Sequence, residues 1–157
     1  MKLKLFLAGA LTSLISLGTS AAQTRPLDVF KWEKRVIVMF ADRSSDPWAF
    51  SQRTDLLQDR CAFDDRDLLL LEVYGADPVL ATGTWLNGEV VDEQPLQRIL
   101  NADLRRYYDV DRGFGLILVG KDGWEKRRSR LPDDVGQIFG QIDGMPMRQQ
   151  EMLTGGC

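Results

Sequence analysis

Histidine does not occur anywhere in the 157-residue chain. That absence excludes Ser-His-Asp and Cys-His catalysis, His-ligated zinc and imidazole proton shuttling together. Cysteine is nearly as scarce: Cys61 and Cys157 are far apart and form no Cys-x-x-Cys pair. Dithiol exchange therefore has no motif to run on. Three states of these two residues stay open, namely an intramolecular disulfide, a free thiol at Cys157 behind Gly155-Gly156, or an intermolecular bond. No uninterrupted apolar run reaches the roughly 20 residues needed to cross a bilayer. Internal repeats, low-complexity linkers and the Asp-x-Asp-x-Asp-Gly pattern of a calcium loop are missing as well.

What is present begins with MKLKLFLAGALTSLISLGTSAA, residues 1–22, which has bases at Lys2 and Lys4, an apolar middle and small residues at Ser20, Ala21 and Ala22. This is the layout of a secretory signal peptide cleaved after Ala22. No cysteine follows the small residues, which argues against a bacterial lipid anchor. The expected mature protein is periplasmic or secreted and has no membrane span. It forms one domain over residues 23–152, with a flexible tail at 153–157. The full chain has 20 Lys+Arg against 23 Asp+Glu, and losing Lys2 and Lys4 leaves 18 against 23, a formal charge of −5. An acidic protein with dispersed bases is not expected to bind nucleic acid.

Residues 35–41, RVIVMFA, form a β-branched apolar run suited to a strand buried on both faces. Helical spacing follows from 47 to about 60, and the leucine-rich 67–74 reads as a second buried strand. Together they make a right-handed βαβ unit. In TWLNGEVV, Asn87-Gly88 predicts a two-residue hairpin. A second helix is expected over 95–108, a third strand over 114–119, a tight turn at 121–123 and a charged edge strand over 124–129. Pro132 opens a third helix to about 142, where Gly144 can end it and Pro146 blocks its continuation. The order β-α-β-α-β-β-α is that of an α/β, thioredoxin-like fold, a central mixed sheet flanked by helices on both faces.

Three stretches, DVFKWEKRVIVMFA, LILVGKDGWEKRR and IDGMPMRQQEM, together resemble a family of domains of unknown function. The family occurs in exported bacterial proteins and in vertebrate secreted matrix proteins, notably sushi-repeat-containing ones. The resemblance covers about 27–152, and Met-Pro-Met-Arg is its most specific part. It implies a thioredoxin- or peroxiredoxin-like fold and no settled activity.

In such a fold the loop after the first strand would hold the redox cysteines. Here that loop reads Asp42-Arg43-Ser44-Ser45-Asp46-Pro47-Trp48, without sulfur. Asp46 is expected as N-cap with Pro47 at N1. The functional alternative is a small anion held by Arg43, Ser44, Ser45 and the helix start at Asp46. Cys61, expected near the far end of the same helix, is the one candidate catalytic thiol, with Cys157 as resolving partner. Its other reading is a packing residue or structural half-cystine. Asp42, Asp46 and Asp111 could approach one another, but no metal site or cofactor is expected. Lys126, Arg127, Arg128 and Arg130 fit edge protection better than a polyanion patch.

Finally, the topology brings Lys121, Asp122 and Gly123 to the pole opposite the redox loop, beside Met145, Pro146, Met147, Arg148 and Glu151. Arg148 or Glu151 is expected to dock on the Lys121-Asp122 turn, as a structural clasp or a partner surface. The favoured reading is a non-catalytic binding or interaction module with a degenerate redox site, whose partner is an envelope or extracellular protein or a small anion. The alternative is a thiol-dependent antioxidant or reductase using Cys61.

Overall fold

The computed structural model describes residues 25–75, 85–86, 89–90 and 104–156. Strand β1, Arg35–Ala41, lies at the sheet's centre and is buried at every position, as its unbroken apolar run requires. It pairs in parallel with β2, Leu68–Tyr74, in the register Val38↔Leu71. On its other side it pairs antiparallel with β5, Gly115–Val119, which turns into the edge strand β6, Glu125–Ser129. Two short strands, β3 at Trp85–Leu86 and β4 at Glu89–Val90, extend the β2 side as an antiparallel hairpin. The order is β4-β3-β2-β1-β5-β6. The expected turn residues Asn87 and Gly88 lie outside the described residues, as does most of the helix expected over 95–108. Its last turn is seen as α3, Leu104–Tyr107.

The period-2 alternation of the central strands divides the core between two faces. Ile37, Met39, Leu70, Leu116 and Leu118 pack against Ala49, Leu56, Phe63, Ile138 and Ile142. Val36, Val38, Phe40, Leu71, Val73 and Ile117 face Leu104 and Tyr108. The first face is covered by α1, Pro47–Gln58, α2, Arg60–Asp65, and α4, Val135–Asp143; the second by α3. This is the mixed sheet with helices on both faces that the element order predicts.

Three departures from that expectation have local causes. The helix expected to run through residue 60 stops at Gln58, because Asp59 leaves helical geometry and its Oδ1 accepts from Ala62 N at 2.9 Å, capping α2. Pro146 does not merely end a helix: it occupies the first turn of a new one, α5, Pro146–Glu151. The third helix itself starts at Val135 rather than at Pro132, with Asp134 as its N-cap.

Candidate functional site

The loop between β1 and α1, the one expected to hold redox cysteines in a thioredoxin-like fold, lies at the C-terminal pole of the parallel strands. Arg43, Ser44 and Ser45 are exposed there. The Asp46 carboxylate accepts from Trp48 N at 2.9 Å and from Ala49 N at 3.1 Å, and Pro47 has no N–H to offer. Two backbone donors of the helix start are thus already taken by the Asp46 side chain, whereas Arg43, Ser44 and Ser45 stay exposed beside it. Asp42 accepts from Gly113 N at 2.8 Å, tying the loop to the one before β5. Behind it, the almost fully buried Arg105 donates to Ala41 O at 2.7 Å and Val110 O at 3.2 Å and lies 3.9 Å from Asp42. Asp46 serves as a cap and Asp111 is exposed. Among the described residues no group of three potential metal ligands occurs.

Cys61 is displaced from its expected setting. With the helix broken at Asp59, it sits exposed in the first turn of α2 rather than at the negative end of α1, and it is disulfide-bonded. Cys157 lies outside the described residues.

The opposite pole is densely built. Glu151 of α5 receives a fork from Arg35, Nη1 to Oε2 at 2.9 Å and Nη2 to Oε1 at 3.2 Å, and its Oε1 also accepts from Lys121 Nζ at 2.7 Å. Lys121 reaches Asp67 Oδ2 at 2.7 Å as well. Arg148 does not meet the Lys121-Asp122 turn. It binds the carboxylate of Asp65, donates to Asp65 O at 2.7 Å and lies 3.2 Å from Asp143 Oδ1, while Arg66 holds the other Asp143 oxygen at 2.6 Å. Of the two alternatives for docking on the turn, then, Glu151 reaches it, while Arg148 fastens α5 to α2 and α4. Burial alone would raise the Glu151 carboxyl, but hydrogen bonds and charge from Arg35 and Lys121 outweigh it and hold the group below its ordinary range. Asp67 and Asp143 are lowered in the same way, by Lys121 and Lys34 and by Arg66 and Arg148.

The stretch DVFKWEKR converges on the same turn. Trp32 N donates to Lys121 O at 2.7 Å, from a left-handed backbone with φ 70°, and Arg25 Nη2 reaches Asp122 O at 3.3 Å. Gly123 takes φ 77°, a left-handed backbone that residues other than glycine rarely adopt, so the turn favours glycine there. Asp122 caps Trp124 N and pairs with Lys126 Nζ at 2.6 Å. Beside the turn opens a cleft of about 210 Å³, lined by residues 145–147 together with Arg35, Lys121, Asp122 and Lys126. The remaining bases of the edge strand are paired locally, Arg127 with Asp133 at 2.8 Å and Arg128 with Glu125 at 2.7 Å. Arg130 donates to Asp109 O at 2.5 Å. No single basic patch results.

Residues 26–151 match the model of the family described as Domain of unknown function (DUF4174). The chain belongs to that family. Its similar proteins include coiled-coil domain-containing protein 80 of Danio rerio, 30% identical over 134 residues, covering 80% of this chain and 15% of that protein. Another is Sushi repeat-containing protein SRPX2 of Homo sapiens, 27% identical over 129 residues, covering 80% of this chain and 26% of that protein. The DUF4174 chain thus spans about a quarter or less of these relatives. Among solved structures, Plasmodium yoelii thioredoxin peroxidase I aligns with a TM-score of 0.51 at 19% identity, covering 79% of each chain. Plasmodium vivax 2-Cys peroxiredoxin aligns at 0.50 and 18%, covering 79% of this chain and 84% of that one. These likenesses establish the thioredoxin-like fold.

Sequence reading missed Arg35, Asp65, Asp67 and Asp143 as members of this network, and also a buried cluster under α1. There Glu72, with no exposed surface, accepts from Arg53 Nε at 2.8 Å and from the Tyr74 hydroxyl. Two of these carried a usable signal: Glu72 interrupts LLLLEVY, and Arg35 opens an apolar strand. A charge inside such a run needs a partner.

Proposed function

We propose that this DUF4174 protein is an exported, non-catalytic binding module of the cell envelope, acting on an envelope or extracellular protein or a small anion. The observation that carries this reading is the β1–α1 loop, which has no thiol and whose helix start is filled by Asp46. Thiol chemistry needs a reactive thiolate, and Cys61 is in a disulfide. Export rests on the layout of residues 1–22, and no helix among the described residues is long and apolar enough to cross a membrane. The thiol-dependent alternative keeps one observation in its favour, since a peroxidatic cysteine and its resolving partner also end as a disulfide.

One preparation tests both parts. Protein recovered from the periplasm should begin at Gln23 and consume no peroxide in the presence of a dithiol reductant. Turnover that disappears in Cys61→Ser would overturn the binding-module reading in favour of the antioxidant.

A further inference from the structure

The cleft at the Lys121 turn combines features that the clasp alone does not use. Its wall, residues 145–147, is two thioethers and a proline ring, with Met147 39% exposed. Such groups accommodate apolar shapes of varied outline. The charged residues lining it are Arg35, Lys121 and Lys126, against Asp122 alone. All three cations are engaged, yet none is saturated. An ammonium has three donors; Lys121 spends two, on Asp67 and Glu151, and Lys126 spends one, on Asp122. Arg35, 1% exposed, keeps a buried Nε–H with no acceptor. Both oxygens of Asp122 are occupied, Oδ1 by Trp124 N and Oδ2 by Lys126, so its charge is already met locally.

Summed over the linked groups, Lys34, Arg35, Arg66, Lys121, Lys126 and Arg148 face Asp65, Asp67, Asp122, Asp143 and Glu151. This leaves one positive charge in excess, within a chain of net charge −3. A carboxylate supplies acceptors for the spare donors and neutralises that excess, whereas a second cation would add to it. The volume, about 210 Å³, is below the roughly 300–1,000 Å³ of drug-sized sites and suits a body about as large as one side chain.

We infer that this cleft binds a monocarboxylate carrying a compact apolar body, with the carboxylate on Lys121 and Lys126 and the body against residues 145–147. The inference rests on the binding-module reading and gives it a site and a ligand chemistry. Such a group is offered either by a small free acid or by the C-terminal residue of a peptide.

The test uses the mature chain, with 3-phenylpropionate, its amide, and a short peptide ending in phenylalanine as free acid or amide, followed by NMR titration. Binding of the acids, with the amides at least about tenfold weaker, supports the inference. A peptide acid that outbinds phenylpropionate by about tenfold identifies a chain terminus as the source; comparable affinities identify a free acid. Lys126→Met, which keeps the stem and removes the charge, should weaken the acids about tenfold, Lys126→Arg should preserve binding, and Arg130→Met, outside the cleft, should change nothing. Met147→Ala, on the exposed wall, should weaken acids and amides alike. The inference is overturned by no binding at millimolar acid, by equal binding of acid and amide, or by equal effects of Lys126→Met and Arg130→Met. None of those outcomes bears on the peroxide assay, which tests the binding-module reading separately.

Discussion

Glu72 is the residue whose environment is least ordinary. It lies mid-strand with one oxygen bonded to Arg53 and the Tyr74 hydroxyl, while Oε1 is buried and has no acceptor-donor partner among the described residues. Burial, reinforced by the neighbouring carboxylate, pushes the Tyr74 hydroxyl well above its ordinary pKa, so it stays a donor. Removing one member of a buried pair leaves an uncompensated charge, which costs more than the intact pair contributes. Arg53→Met should therefore destabilise the fold toward the lower end of about 3–5 kcal/mol, because the Arg53 side chain is 22% exposed and water offsets part of the loss. Adding Glu72→Leu should recover most of that loss. Urea unfolding of the single and double variants measures both, and a double variant no more stable than Arg53→Met would contradict the argument. The polar interruption of LLLLEVY made a buried carboxylate legible in the sequence. Its partner was not, since Arg53 sits 19 residues away on a helix whose apolar spacing says nothing about which base faces the sheet.

At the scale of elements, spacing located the strands and most helices but misplaced the ends that short-range hydrogen bonds decide. Asp46 and Pro47 read correctly as a helix start because cap and N1 are adjacent in sequence. Asp59 escaped notice because a cap that begins one helix one residue after another ends does not disturb the apolar period. That break moved Cys61 from the end of one helix to the start of another. The C-terminal tail returns to the same helix: a Cβ on Gly156 would lie 2.0 Å from Asp65 Oδ1, one turn beyond Cys61. Gly156 thus lies beside α2, and peptide mapping without reductant should find Cys61 joined to Cys157, the one other cysteine in the sequence. Closing so long a loop restricts the unfolded chain, and Cys61→Ser should lower stability by about 2–5 kcal/mol in denaturant titrations. Equal midpoints for Cys61→Ser and the oxidised parent would show that the bridge contributes nothing to folding.

For the whole molecule, the two poles of the sheet divide what a thioredoxin-like fold ordinarily gathers at one. The pole with the β1–α1 loop, where redox cysteines are expected from the fold, has no sulfur in that loop. The other draws together all three of the chain's distinctive stretches through Trp32, Lys121, Arg148 and Glu151. Topology made that convergence legible, because antiparallel pairing of β1 with β5 puts residue 121 beside residue 35. The choice of Glu151 over Arg148 for the turn was not legible, since it depends on the helical phase of α5, in a stretch read as a turn. The clasp has a pH signature with a definite sign. Glu151, Asp67 and Asp143 all have folded-state pKa values below their unfolded ones. Their contribution is fully present above the unfolded carboxylate range, near 4, and is lost as pH falls through the lower folded values. Thermal melts should therefore be flat from pH 7 to about 5 and fall below that. Glu151→Gln should melt lower than the parent at pH 7, with a shallower decline in acid, because one of the titrating groups is gone and Arg35 is left without its carboxylate fork. Parallel curves for parent and variant would remove Glu151 as a source of the acid sensitivity.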